Sequence, residues 1–214
     1  MIRSRAFCIV LLLVALVAAQ ATAGSLGKGI KAGISYAKIT NDFAGDSDYD
    51  LGVAAGISLS YDLVPGLTIQ PELLYVQQGG KYDTTIFDAG GGILGTGEFV
   101  WNLNYIQLPV LARLNLPVVG ALLPTIIAGP ALSFKASSSF SMEQDGTTLE
   151  SGDNEDVNST DLSHIVGLGF KVGAGPAGVT VDARYNLGST NLNDAGTDTT
   201  IKNRGFQVLA GFQF

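Results

Sequence analysis

Apolar residues recur at every second position over most of this sequence. In Val179 to Leu187, the residues Val179, Val181, Ala183, Tyr185 and Leu187 share one face, while Thr180, Asp182, Arg184 and Asn186 share the other. The C-terminal stretch repeats the pattern. Phe206, Val208, Ala210, Phe212 and Phe214 alternate with Gln207, Leu209, Gly211 and Gln213. Near the start, Ile30, Ala32, Ile34 and Tyr36 alternate with Lys31, Gly33, Ser35 and Ala37. A side-chain period of two belongs to strands, because successive residues of an extended chain point to opposite faces. The pattern predicts an all-β protein of eight strands, near 29–39, 51–62, 67–80, 98–114, 122–137, 161–173, 178–188 and 203–214. Pro109, Pro124 and Pro130 blur the fourth and fifth strands and predict ends, bulges or irregular pairing there, since proline gives no N–H to a ladder.

The connections between these strands fall into two kinds, and the kinds alternate. Segments 63–66, 115–121 and 174–177 are short, and each contains proline. Loops 40–50, 81–97, 138–160 and 189–202 are long and polar. In an up-and-down sheet, alternate connections lie at the same end, so all the long loops share one end. The even strand number sends both termini to the other. Of the 19 acidic residues, all but Asp62, Glu72 and Asp182 lie in or beside the long loops. Segment 138–160, rich in Ser, Thr, Asp and Glu, reads as a mobile surface loop.

The N-terminus predicts export. Arg3 and Arg5 precede an apolar run from Ala6 to Ala19, and Ala21-Thr22-Ala23 precedes Gly24. That is the three-part pattern of a secretory signal, and the run is too short to span a bilayer. The expected division is therefore a signal peptide over 1–23 and a single β domain over 24–214. The only cysteine, Cys8, lies within the leader, so the mature chain would carry no disulfide and no thiolate chemistry. Without Arg3 and Arg5, ten basic residues face 19 acidic ones, which argues against a nucleic-acid partner.

An exported sheet with one apolar face either closes around that face in water or turns it outward in lipid. Tyr36, Tyr61, Tyr75, Trp101, Tyr185 and Phe214 lie toward the ends of the apolar face, as in the aromatic girdles of membrane barrels. The opposite face mixes Lys31, Gln70, Glu72, Lys171, Asp182, Arg184, Gln207 and Gln213 with glycines. The expected fold is an eight-stranded antiparallel up-and-down transmembrane β-barrel. Its lumen would hold an ion-pair network of Lys31, Glu72, Lys171, Asp182 and Arg184, because buried charges of mixed sign must pair. Only 14% of residues are charged and 28 are glycine, which suits a lipid-embedded, narrow barrel. Eight strands enclose an interior that side chains just fill, so free diffusion of solutes is not expected.

The segments PELLYVQQGG (71–80), LNYIQLPVLARLN (103–115), AGPALSF (128–134) and VDARYNLGSTNL (181–192) resemble the outer membrane protein beta-barrel domain family, often labelled porin-family or PorT-family. The resemblance covers nearly all of the chain from Leu26 to Phe214. It implies an integral bacterial outer-membrane barrel with both termini periplasmic, in contact with outer-membrane lipid and lipopolysaccharide. The end of the chain, with Phe206, Val208, Phe212 and Phe214, resembles the signal read by the outer-membrane insertion machinery. The family implies no catalytic residues. Some members are linked to secretion, a role for which no residue here stands.

Other candidate chemistry is sparse. His164, the only histidine, is adjacent to Ser163, so the two side chains point to opposite faces and cannot act as base and nucleophile. Asp46, Asp48 and Asp50 are weak candidates for a divalent cation, because Leu51 and Ile57 stand where a calcium loop of the EF-hand type needs Gly and Glu. Gly167, Gly169 and Gly173 have the wrong spacing for a dinucleotide loop. No cofactor is called for. The expected role is a non-enzymatic barrel, structural or surface-interacting, whose acidic loops 40–50, 81–97, 138–160 and 189–202 meet an extracellular ligand. The alternatives are a narrow channel or a transport or secretion component, and a lipid-modifying barrel enzyme.

Overall fold

The structure, a computed structural model, describes residues 26–41, 47–87, 91–144, 147–153, 158–173, 177–192 and 200–214. The expected leader, 1–23, and Asp46 lie outside the described residues. The strands are β1 (Leu26–Asn41), β2 (Asp50–Val64), β3 (Leu67–Phe87), β4 (Ile93–Asn115), β5 (Leu122–Gln144), β6 (Thr147–Asp153), β7 (Thr160–Val172), β8 (Gly178–Gly188) and β9 (Ile201–Gln213). All pair antiparallel. Eight form a ring in the order β1-β2-β3-β4-β5-β7-β8-β9, closed by β9 on β1 in a register from Gly29↔Gln213 to Asn41↔Ile201. Closure removes the free edges that an open sheet would expose.

The apolar face of the alternation points outward. Ile30, Ile34, Ile57, Leu73, Leu168, Val179, Val208 and Phe212 are all exposed. An outward belt of such residues is costly in water and stabilising in lipid. Tyr36, Tyr75 and Phe214 sit on this outer face. Tyr36 stacks on Tyr49, and Tyr185 packs against Phe206 with ring centroids 4.7 Å apart. Trp101 departs from the expected girdle. Residues 101, 103 and 105 share the inner parity of β4, and Trp101 packs inside against Ile39, Leu103, Tyr105 and Leu192. Its indole N–H donates to Ser138 Oγ.

The ring is narrow enough that neighbouring backbones nearly touch on the inside. A Cβ at Gly33 would lie 1.9 Å from the carbonyl oxygen of Val208, and one at Gly56 would lie 2.0 Å from that of Leu73. Glycine at these positions lets the sheet coil tightly, because no side chain has to fit into the seam.

Three strands run further than the sequence suggested. β3, β4 and β5 continue past the ring as a projecting sheet, and β6 joins it by pairing with β5 from Gln144↔Thr147 to Ser139↔Asp153. The expected loop 138–160 is thus in part a hairpin. Its residues are mostly polar, with Phe140, Met142 and Leu149 the apolar exceptions, so no sustained amphipathic alternation marks it. It is a ladder templated on the barrel rather than driven by burial. At the prolines the ladder lapses without losing register, passing from Pro71↔Val110 to Leu74↔Gln107 and from Pro109↔Ala131 to Ala112↔Ala128. The register shift between β4 and β5 lies elsewhere, at the step from Asn104↔Ser137 to Tyr105↔Lys135.

Candidate functional site

The inner face brings charges from four strands into one buried knot. Lys31 of β1 places Nζ 2.9 Å from Glu72 Oε1 and 2.6 Å from Asp182 Oδ2. Arg184 of β8 grips Glu72 of β3 with both guanidinium prongs, at 2.6 and 2.8 Å, and also donates to Asp182 Oδ2 at 2.7 Å. Arg113 of β4 grips Asp182 from the opposite wall at 2.9 and 3.0 Å, and donates to Thr125 Oγ1 at 3.1 Å. The side chains of Lys31, Glu72, Asp182 and Arg184 are no more than 1% exposed, and that of Arg113 is 5% exposed. Paired guanidinium–carboxylate geometry of this kind is strong and directional. It also offsets the desolvation that would make any one of these charges intolerable alone.

Lys31, Glu72, Asp182 and Arg184 are therefore brought together. Lys171 is placed differently. It lies diagonal to Asp182 across β7 and β8, through the pairs Lys171↔Thr180 and Gly169↔Asp182. Yet it lines a separate cavity of about 290 Å³ at the short-turn end, with Asp62, Thr68, Asn115 and Gln213. Arg113, which also borders that cavity, supplies the second cation on Asp182. The sequence reading missed Arg113. The signal was there: counting by twos from Leu103 through Tyr105, Gln107, Pro109 and Leu111 reaches Arg113 on the inner face, but Pro109 hid the continuity.

Toward the long-loop end apolar side chains join buried polar ones such as Gln107, Ser163 and Gln207 in the interior. Ala54, Leu74, Val76 and Leu209 form one cluster, and Leu111, Ile127, Ala131 and Ile165 form another. The group around Ile39, Leu103, Tyr105 and Leu192 lies nearest the long loops. The interior is thus a packed core of mixed character. Leucine and isoleucine fill it alongside the charges, beyond the polar and glycine-rich lining that the sequence suggested.

The remaining candidates are peripheral. Asp48 is exposed, and its backbone bridges to Lys81. Asp50 lies 3.5 Å from Lys81 Nζ. Among the described residues no group of three His, Cys, Asp or Glu side chains gathers as metal ligands would. His164 faces outward opposite Leu187, while Ser163 is fully buried on the inner face and bonds Ala131 O. Phe206, Val208, Phe212 and Phe214 lie on the outer face, each about half exposed.

A family model described as "Outer membrane protein beta-barrel domain" matches residues 18–194. The chain belongs to this family. It is an integral outer-membrane β-barrel, and the outward apolar belt is its lipid-facing surface. No curated protein matches its sequence. Among solved structures the barrel is similar to Neisserial surface protein A, at 17% identity over 87% of this chain and 95% of that one, with a TM-score of 0.45. It is similar to the outer membrane protease OmpT from Escherichia coli, at 13% identity over 88% and 96%, with a TM-score of 0.47. It is also similar to Ail, the attachment invasion locus protein of Yersinia pestis, in complex with the heparin analogue sucrose octasulfate, at 13% identity over 89% and 99%, with a TM-score of 0.41.

Proposed function

We propose that this outer-membrane barrel is a non-enzymatic, non-conducting anchor that holds a polar, acidic loop surface outside the cell. The observation that carries this reading is the buried knot of Lys31, Glu72, Arg113, Asp182 and Arg184. Its side chains are almost entirely closed to water, so no hydrated ion passes them without breaking several charge-assisted hydrogen bonds at once. Apolar packing above the knot adds a second obstruction. In this reading the short-turn end and both termini are periplasmic, and the long-loop end faces outward, following the usual asymmetry of such barrels. The C-terminal aromatic strand engages the insertion machinery during assembly, and the outer surface meets lipid and lipopolysaccharide.

Two arrangements among the described residues are in keeping with a non-enzymatic role. Ser163 and His164 lie on opposite sides of the wall, and both knot carboxylates are fully engaged by cations. The projecting sheet of β3, β4, β5 and β6 carries Asp83, Glu98 and Glu143 opposite one another on adjacent strands. Such a row of like charges costs stability and fits a surface for contact with an extracellular ligand. Planar-bilayer recording of the purified barrel tests the reading. A quiet membrane supports the anchor, and regular conductance steps would favour the channel instead.

A further inference from the structure

The lumen opens below the knot into a well at the short-turn end, and all eight ring strands contribute to its wall. Its volume is about 290 Å³. Gln70, Arg113, Thr125 and Thr180 form its buried floor, whereas Asp62 is exposed and Lys171 half-buried at its mouth. Toward the long loops the knot side chains, none more than 5% exposed, close it. The well is therefore blind.

The charges around this well do not cancel. In the knot, Lys31, Arg113 and Arg184 are paired with two carboxylates, Glu72 and Asp182, which leaves one positive charge among the described residues. Asp62 and Lys171 add one charge of each sign at the mouth. Asp161, an inward carboxylate nearer the long loops, lies eight positions before Gly169, the partner of Asp182, or about 26 Å along β7. An uncompensated charge at the depth of the knot is costly. Two polar groups in the well are also underused. Thr180 is 2% exposed, and its Oγ1 has no hydrogen-bond partner among the described residues. It sits beside the Lys31 stem, since a Cβ on Gly211 would meet Lys31 Cγ at 2.8 Å and Thr180 Oγ1 at 2.9 Å. The Gln213 amide donates to Ser60 Oγ and Gln70 Oε1 at 3.5 Å each, longer than a normal hydrogen bond.

We propose that this well binds one small hydroxylated carboxylic acid as its monoanion. The carboxylate supplies the single negative charge that the knot lacks, rests against Arg113 on the floor, and accepts from the Thr180 hydroxyl. Ser60, Thr68, Asn115 and Gln213 offer neutral donors and acceptors in both directions, which ligand hydroxyls match. The volume lies just under the ~300–1,000 Å³ of pockets for drug-sized ligands, and a blind well of that size suits a compact molecule rather than a chain. The site is at the opposite end of the barrel from the acidic loops, and it goes beyond the anchoring role.

The test is calorimetric titration of the full folded chain, in a zwitterionic detergent and low chloride, with gluconate and with glucose as its neutral counterpart. Gluconate is expected to bind about tenfold more tightly than glucose, as hydrogen bonds to a charged group outweigh neutral ones. Thr180→Val removes the hydroxyl and keeps the shape, and is expected to weaken gluconate about tenfold. The mouth separates charge from structure. Asp62→Asn raises the net positive charge and is expected to strengthen gluconate binding, while Lys171→Gln lowers it and is expected to weaken binding. Thr180→Val is read alone if either mouth variant loses the heat-resistant folded band on a gel. No heat from gluconate beyond dilution, equal binding of glucose, or unchanged gluconate affinity in Thr180→Val would overturn the assignment. So would a shift in the same direction in both mouth variants. Full competition by chloride at equal concentration would assign the well to a bare inorganic anion and overturn the hydroxy-acid ligand.

Discussion

Arg113 of β4 and Asp182 of β8 meet across the lumen as a two-pronged ion pair, with Nη1 2.9 Å from Oδ2 and Nη2 3.0 Å from Oδ1. Asp182 also holds Lys31 and Arg184, so three cations converge on this one carboxylate. The remaining anion of the knot, Glu72, is shared by Lys31 and Arg184.

Neutralising Asp182 leaves three buried cations facing a single carboxylate. Removing one partner from a buried ion pair typically costs about 3–5 kcal/mol. Asp182→Asn is expected to destabilise the barrel by that amount, read as a lowered urea midpoint in lipid vesicles. A midpoint within error of the native chain would mean the knot contributes nothing to the fold.

Replacing Lys31 and Glu72 together removes one charge of each sign. Lys31→Met/Glu72→Leu is expected to cost less than the sum of the two single changes, because each single change strands a charge that the pair does not. The same urea titrations, run as a double-mutant cycle, check this, and strict additivity would argue against direct coupling.

Gly33 has no room for a side chain, since a Cβ would lie 1.9 Å from Val208 O. Gly33→Ala forces β1 and β9 apart at the seam that closes the ring. Overpacking of this order costs about 1–3 kcal/mol, and the cost is expected as a loss of the heat-resistant folded band at lower temperature than native.

Lipid and water exposure can be separated by one pair of substitutions. Leu168 is 65% exposed in the middle of β7, and Ile93 is 72% exposed on the projecting sheet. Leu168→Arg is expected to cost about 2–4 kcal/mol, the range for a cation on the lipid face near the midplane. Ile93→Arg is expected to change stability by less than 0.5 kcal/mol, as surface changes usually do. Similar costs for both would place the two residues in the same solvent.

His164→Ala and Ser163→Ala are each expected to leave the lipid A of the host unchanged, as judged by mass spectrometry of extracted lipid. A lost or added acyl chain in either strain would revive the enzymatic alternative.

Much of the barrel could be read from the sequence because lipid enforces the period of two. Val179 to Leu187 alternates without a break, and the strand observed is Gly178–Gly188. The reading weakened wherever that constraint relaxes. Beyond the lipid the alternation breaks down, and TTLESGD over β6, with Leu149 its one apolar residue, carries no strand signal. The sequence points Trp101 to the girdle because aromatic residues near strand ends in such barrels commonly face the interface. Its parity with Leu103 and Tyr105 turns it inward, and no residue type announces that. The inner apolar clusters were missed for a related reason. In a narrow, closely packed interior Leu74, Leu111 and Ile165 are buried as fully as Gln107 and Gln207. The charged part of the lumen was more accessible to sequence, because Lys31, Glu72, Asp182 and Arg184 stand out among neutral neighbours. Lys171 shared that prominence, but near the short-turn end a long side chain reaches the mouth rather than the centre.

Site-directed spin labelling on a Cys8→Ser background tests the inside-out arrangement of the wall most directly. Single cysteines at Ile34, Val208 and Phe212 report on the apolar face, and cysteines at Ser35 and Gln207 report on the opposite one. The structure predicts that the first three labels, in lipid vesicles, are mobile and relaxed strongly by oxygen but weakly by an aqueous nickel complex, while the last two are immobilised and reached by neither. Labels at Ile34, Val208 and Phe212 that are buried and immobile, or that collide freely with the nickel complex, would contradict it.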